Sequence, residues 1–135
     1  IENYSPSNSR SQMVQKGSNQ VILDAYNANP TSMLAAIENF ARQPHDNKVI
    51  LIGGMMELGD ESLAEHAGLV SVLKQFTWQD VILVGGDFAK VPHPFRFFHT
   101  SVEAASWLKA NPVKQALILV KGSRSMQMEK VMESI

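Results

Sequence analysis

A chain of 135 residues, 44% apolar and 19% charged, has the length and balance of one globular domain with its own core, and is too apolar for a disordered segment. Its formal net charge of -1 gives no electrostatic grip on nucleic acid or an anionic membrane, and no apolar run nears the roughly 18 residues of a membrane span. The lack of cysteine excludes disulfides and thiolate metal sites and leads to the expectation of a cytoplasmic setting.

In chain order, residues 1–10 are polar, contain Pro6 and read as an entering linker, with 11–135 as the domain. The chain opens on Ile1 without an initiator methionine, so a cut from a longer protein is expected. Segments 11–16 and 20–26 flank Gly17-Ser18-Asn19 and predict a β-hairpin. Over 30–42, Met33, Leu34, Ile37, Phe40 and Ala41 recur at helical spacing. Segment 48–52 is a short apolar strand running into Gly53-Gly54. The stretch 61–76 predicts a helix with a stripe of Leu63, Ala67, Val70, Leu73 and Phe76. Strands follow at 80–84, before Gly85-Gly86, and at 96–99, the latter at a sheet edge. A helix over 102–110, a strand over 116–120 and a closing helix over 124–134 complete the chain.

Short apolar strands alternating with helices imply parallel βαβ units. The expected fold is therefore α/β: a Rossmann-like, doubly wound, mostly parallel sheet with one antiparallel hairpin strand, in a single domain. In such a sheet the segments after Leu23, Ile52, Val84 and Val120 meet along one edge, where open α/β sheets bind ligands.

Three constellations fall on that edge. The first is Asp24-Ala25-Tyr26-Asn27-Ala28-Asn29-Pro30. A carboxylate at a strand's end can accept hydrogen bonds from a ribose diol, and the carboxamides offer donors and acceptors. The structural alternative is that Asn29 caps a helix begun by Pro30. The second is Gly53-Gly54-Met55-Met56-Glu57-Leu58-Gly59-Asp60, which has the glycine spacing of a phosphate-binding loop but Asp60 where that loop needs lysine. It reads instead as a glycine-containing loop capped by Asp60 or Ser62, and any phosphoryl chemistry needs a P-loop from elsewhere. The third is Lys121-Gly122-Ser123-Arg124-Ser125, two cations and a hydroxyl at an expected helix start, which suits an anion. A solvated, capped loop is the alternative. Arg10 stands in a neutral loop and is suited to phosphate. His66, His93 and His99 have no partner at metal-ligand spacing, so no metal site is expected; Met126, Met128 and Met132 read as core filler.

Asn8-Ser9-Arg10-Ser11, the Asp24 to Met33 run, Gly54-Met55-Met56-Glu57-Leu58-Gly59 with His66, Lys121-Gly122-Ser123-Arg124 and Met128-Glu129 together resemble the C-terminal domain of the Mur ligases. The resemblance is to the type that adds D-Ala-D-Ala to UDP-N-acetylmuramoyl-tripeptide, and it covers nearly the whole chain. Ser9 departs from the glycine usual before the arginine. The resemblance implies a three-domain, ATP-dependent amide ligase working through an acyl phosphate. The first domain binds the UDP-sugar, the central ATPase domain holds the P-loop, Mg2+ and a carbamylated lysine, and the third closes over them. It implies that Arg10 reaches the γ-phosphate, that Asp24 holds the ribose, and that Tyr26, Asn27 and Asn29 lie on the nucleotide side. Lys121, Gly122, Ser123 and Arg124 would lie near the dipeptide or acyl phosphate. No catalytic nucleophile or base is expected in this chain, and the isolated domain is expected to be inactive. Another Mur-type or folylpolyglutamate-type ligase domain, or a stand-alone nucleotide-binding module, is the alternative.

Overall fold

The computed structural model describes residues 12–24, 29–55, 58–122 and 127–135. Strands β1 (Gln12–Lys16) and β2 (Asn19–Asp24) form the expected antiparallel hairpin, turning at Gly17, whose φ of 60° suits glycine. Helix α1 (Pro30–Ala41) follows, then β3 (Lys48–Gly53), a 3₁₀ turn at Gly59–Glu61 and helix α2 (Ser62–Leu73). Strand β4 (Asp80–Val84), a 3₁₀ turn at Gly86–Lys90 and the short β5 (Arg96–Phe98) come next. Helix α3 (Ser101–Ala110), strand β6 (Leu117–Lys121) and a 3₁₀ run at Met128–Ser134 end the chain.

The six strands lie in the order β1-β2-β6-β3-β4-β5, and the β1–β2 pair alone is antiparallel among the described strands. This is the expected α/β class. The central strands are apolar through their interiors, Val49 to Ile52, Val81 to Val84 and Leu117 to Val120, because both faces are covered. Ile50, Ile52, Val81, Leu83, Leu117 and Leu119 face α1 and α2, meeting Met33, Ile37, Phe40, Leu69, Val70 and Leu73. The alternate residues Val49, Leu51, Ile82, Val84, Ile118 and Val120 face α3 and the final 3₁₀ run, meeting Ala104, Leu108, Met128 and Val131. Period-two alternation thus feeds two cores from one sheet.

Four expectations are corrected. The buried stripe of α2 is His66, Leu69, Val70 and Leu73, whereas Leu63 is 47% and Phe76 37% exposed. Counting His66 as polar rotated the inferred face, and the helix stops before Phe76. The helix start carries no side-chain cap from Asp60 or Ser62; the 3₁₀ turn leads into it instead. Of the closing helix expected over 124–134, the described part is a 3₁₀ run over Met128–Ser134. Asn19, read as turn, is a buried strand residue: its Nδ2 donates to Val113 O and its Oδ1 accepts from Ala116 N, tying the hairpin to the start of β6.

Candidate functional site at the carboxyl edge of the sheet

Strand β6 inserts between β2 and β3. The chain leaves β2 and β3 over the α1/α2 face and leaves β6 toward the opposite face, so the end of β6 is the topological switch point. Two of the expected site residues meet there. Asp24 ends β2, Lys121 ends β6, and the two are register partners on adjacent parallel strands. The Lys121 Nζ donates to Asp24 Oδ2 at 2.9 Å. The Lys121 side chain is only 2% exposed and that of Asp24 16%. Opposite charges this deep offset part of their desolvation by pairing. Asp24 Oδ1 is also buried and has no hydrogen-bond partner among the described residues. A cleft of about 340 Å³ opens beside the pair, between α1 and the β2–β6 strands, with Ser32, Asn39 and Phe40 on its helical wall.

Asn29 takes the structural alternative. Its Oδ1 accepts from Ser32 N at 2.8 Å, and its own backbone N–H donates to Ser32 Oγ at 3.1 Å, a reciprocal capping box. The side-chain oxygen of Asn29 therefore secures the start of α1. Arg10, Tyr26, Asn27, Ser123 and Arg124 lie outside the described residues. So does Met126, while Met128 is buried and Met132 packs against the core as expected of filler.

The anion-site expectation for the segment after β6 changes in one respect. Lys121 belongs to the strand and is buried against Asp24, well ahead of the 3₁₀ run that begins at Met128. It is therefore no surface cation at a helix start. Gly122, the next residue, is packed so closely that a Cβ there would lie 2.7 Å from Met128 Cγ and 2.9 Å from Gly53 Cα. The neighbouring edge is equally tight: a Cβ on Gly54 would lie 2.5 Å from Gly86 Cα. Backbone is laid on backbone along this edge, which only glycine permits.

His66 pins these loops, a role the sequence pattern did not reveal. It is fully buried in α2, with Nε2 accepting from Met55 N at 3.1 Å and Nδ1 donating to Ser62 O at 2.7 Å. Both bonds are satisfied by the neutral ring carrying its proton on Nδ1. Phe88 meets the ring edge-on at 4.7 Å. The link therefore joins the loop after β3, helix α2 and the turn after β4. Beside it, the Ser62 hydroxyl holds the Asp87 carboxyl below its ordinary range, against opposing desolvation and with help from the Lys90 charge. Among the described residues no group of three or more His, Cys, Asp or Glu side chains is arranged to hold a metal, and no helix is long and apolar enough to cross a membrane.

With the switch-point geometry in place, the family follows from comparison. A family model described as "Mur ligase, glutamate ligase domain" matches residues 9–124. The chain belongs to that family. It is 33% identical over 130 residues to the UDP-N-acetylmuramoyl-tripeptide--D-alanyl-D-alanine ligase of Rickettsia prowazekii, covering 92% of this chain and 29% of that protein. The Escherichia coli protein of the same name is 34% identical over 128 residues, covering 90% and 28%. Among solved structures, a MurF from Acinetobacter baumannii superposes with a TM-score of 0.80 at 32% identity, covering 96% of this chain and 30% of that one. MurF from Thermotoga maritima in complex with ADP gives 0.77 at 25% identity, covering 93% and 30%. The chain thus spans under a third of the relatives it matches, and over that span it is a Mur ligase C-terminal domain similar to those of MurF.

Proposed function

We propose that this chain is the closing third domain of a cytoplasmic, three-domain ligase that uses ATP to join D-Ala-D-Ala to UDP-N-acetylmuramoyl-tripeptide. The observation that carries the reading is similarity along nearly the whole chain to ligases named for that reaction. The site agrees with it chemically. A buried carboxylate oxygen without a partner, beside a cleft at the switch point, is an acceptor suited to a nucleotide's ribose hydroxyl. Asp60 at the lysine position of a P-loop means that phosphate binding and Mg2+ fall to the central domain, this domain's partner.

ATP supplies the phosphoryl group that activates the tripeptide carboxylate. Toward that chemistry this chain contributes position and charge. In this reading Arg10 contacts the terminal phosphate, Asp24 the ribose, and Tyr26 and Asn27 line the nucleotide. Asn29 holds the first turn of α1 and so fixes the direction in which the Asp24 turn leaves the sheet. Gly122, Ser123 and Arg124 lie toward the dipeptide and the activated carboxylate. None of these groups is a nucleophile or base; their effect comes from orientation and from stabilising developing charge when the domain closes.

Three measurements test the proposal. The full-length enzyme should release ADP with D-Ala-D-Ala and the tripeptide nucleotide, and not with single amino acids in place of the dipeptide; turnover with a single amino acid would reassign it within the ligase class. The isolated 135-residue chain should neither hydrolyse ATP nor form peptide bonds, and turnover by a preparation free of intact enzyme would remove the division of labour. In the full-length enzyme Arg10→Ala should lower kcat far more than it weakens nucleotide binding, by an amount corresponding to about 2–4 kcal/mol.

A further inference from the structure

Lys121 sits where the residue pattern suggests a cation for an anionic substrate, yet its geometry belongs to a different task. Its Nζ is committed to Asp24 Oδ2 at 2.9 Å, and the side chain is 2% exposed. A dipeptide carboxylate or a phosphate approaching this ammonium would have to enter a nearly closed space already shared with Asp24. Both residues stand at the ends of hydrogen-bonded parallel strands and are direct register partners, so their spacing is set by the sheet and not by a loop. The pair also leaves an asymmetric carboxylate. One oxygen is taken by the lysine, and the other is buried without a partner among the described residues.

We infer that Lys121 is a positioning residue of the nucleotide side: it fixes Asp24 through Oδ2 so that Oδ1 is presented to one neutral hydroxyl donor, a ribose hydroxyl. The inference rests on the reading that Asp24 faces the nucleotide, and it moves Lys121 away from the dipeptide. Pairing cancels the formal charge of the carboxylate, so it does not repel a nearby polyphosphate. What remains is a rigidly held carboxylate oxygen within a pair of no net charge, which suits a hydroxyl donor better than an anion or a cation. A preorganised acceptor of this kind loses little freedom when its ligand arrives.

The test uses the full-length enzyme and reads equilibrium Kd for ADP and 2′-deoxy-ADP by calorimetry, together with KM for D-Ala-D-Ala. Lys121→Met should weaken ADP by about tenfold, the scale of one charge-assisted hydrogen bond. It should also erase the preference over 2′-deoxy-ADP while leaving the dipeptide KM within about twofold. Because Lys121 acts through Asp24, Asp24→Asn/Lys121→Met should bind ADP no more weakly than Asp24→Asn alone. That double variant carries no unpaired buried charge, so it also serves if Lys121→Met fails to fold. A raised dipeptide KM in either Lys121 variant, or additive losses for ADP, would overturn the inference. Unchanged ADP binding in Asp24→Asn would instead overturn the ribose reading beneath it.

Discussion

Among the described residues two ion pairs join neighbouring strands of this sheet, one at the carboxyl ends and one at the amino ends, and they differ in almost everything except chemistry. Asp24 and Lys121 meet at the carboxyl ends of β2 and β6, with side chains 16% and 2% exposed. Asp80 and Arg96 meet near the amino ends of β4 and β5 at 3.1 Å, with side chains 27% and 50% exposed. The outer pair has other support: Asp80 Oδ1 accepts from Val81 N, and the Arg96 guanidinium lies 4.3 Å over the Trp107 ring. The inner pair leaves an oxygen without a partner among the described residues. A pair in solvent is a modest local tie, whereas a buried pair with an unmet acceptor is costly to keep and points to a ligand. The edge proposed to hold the nucleotide is the one where the fold tolerates expense.

The largest effect should come from breaking the inner pair. Lys121→Met leaves a mostly buried carboxylate without its cation and should destabilise the isolated domain by about 3 kcal/mol in a urea titration. Asp24→Asn/Lys121→Met should recover most of that loss, because neither partner is then a stranded charge. Equal losses in the single and double variants would show that the lysine stem's packing, and not the pair, carries the stability.

Next in size is the glycine packing along the same edge. Gly54→Ala would drive a Cβ to 2.5 Å from Gly86 Cα and 2.8 Å from Gly86 N, both backbone atoms that move only with their strands. A loss of about 2 kcal/mol is expected, within the range for overpacking. Gly68→Ala offers the contrast: the site has open space, lies inside α2, and should gain roughly 0.5–1 kcal/mol. Thermal midpoints of the two variants should therefore move in opposite directions.

The His66 link should rank just below. His66→Leu keeps bulk but removes the acceptor of Met55 N–H, a buried donor whose loss of partner costs about 1–2 kcal/mol. His66→Gln, whose amide oxygen can reach the same N–H, should recover part of it. Faster exchange of the Met55 amide in the leucine variant alone would locate the effect at this bond; equal exchange in both would assign it to ring packing against Phe88. At the outer edge Asp80→Asn should cost well under 1 kcal/mol and less still in high salt.

The contrast also explains what the residue pattern could and could not reveal. Each strand was legible within one or two residues, since a strand covered on both faces needs a short unbroken apolar run such as Val49-Ile50-Leu51-Ile52. The face of α2 differs from the inferred one because its first buried position is a histidine, a polar residue that the apolar pattern leaves out. The final 3₁₀ run has apolar residues at Met128, Val131 and Met132, which fit either helix type. Asp24 and Lys121 were both legible as site residues, but in separate constellations. Their pairing depends on β6 entering the sheet between β2 and β3, a matter of strand order that local spacing does not encode.

The smallest predicted effect lies between the two ion pairs in character, at Asp87. Its carboxyl is held below the ordinary value of 3.8, first by the hydrogen bond from Ser62, with the Lys90 charge adding to it and desolvation opposing both. The side chain is 27% exposed, so solvent screens much of this. A carboxyl whose folded pKa is depressed adds stability that is fully present above its unfolded value and is lost as pH falls through the folded one. The contribution of Asp87 should therefore hold at neutral pH and fade only in strong acid, below the usual carboxylate range. Ser62→Ala removes the leading cause and should move the Asp87 carboxyl back toward 3.8 in a carbon-detected NMR titration. Stability at pH 7 should fall slightly, and the part of the acid limb that Asp87 contributes should shrink. An unchanged Asp87 titration in Ser62→Ala, with the shift instead abolished by Lys90→Met, would make Asp87–Lys90 a charge pair of the outer kind. Titration that follows Ser62 makes it part of the hydrogen-bonded frame around His66, on the side of the molecule that carries the site.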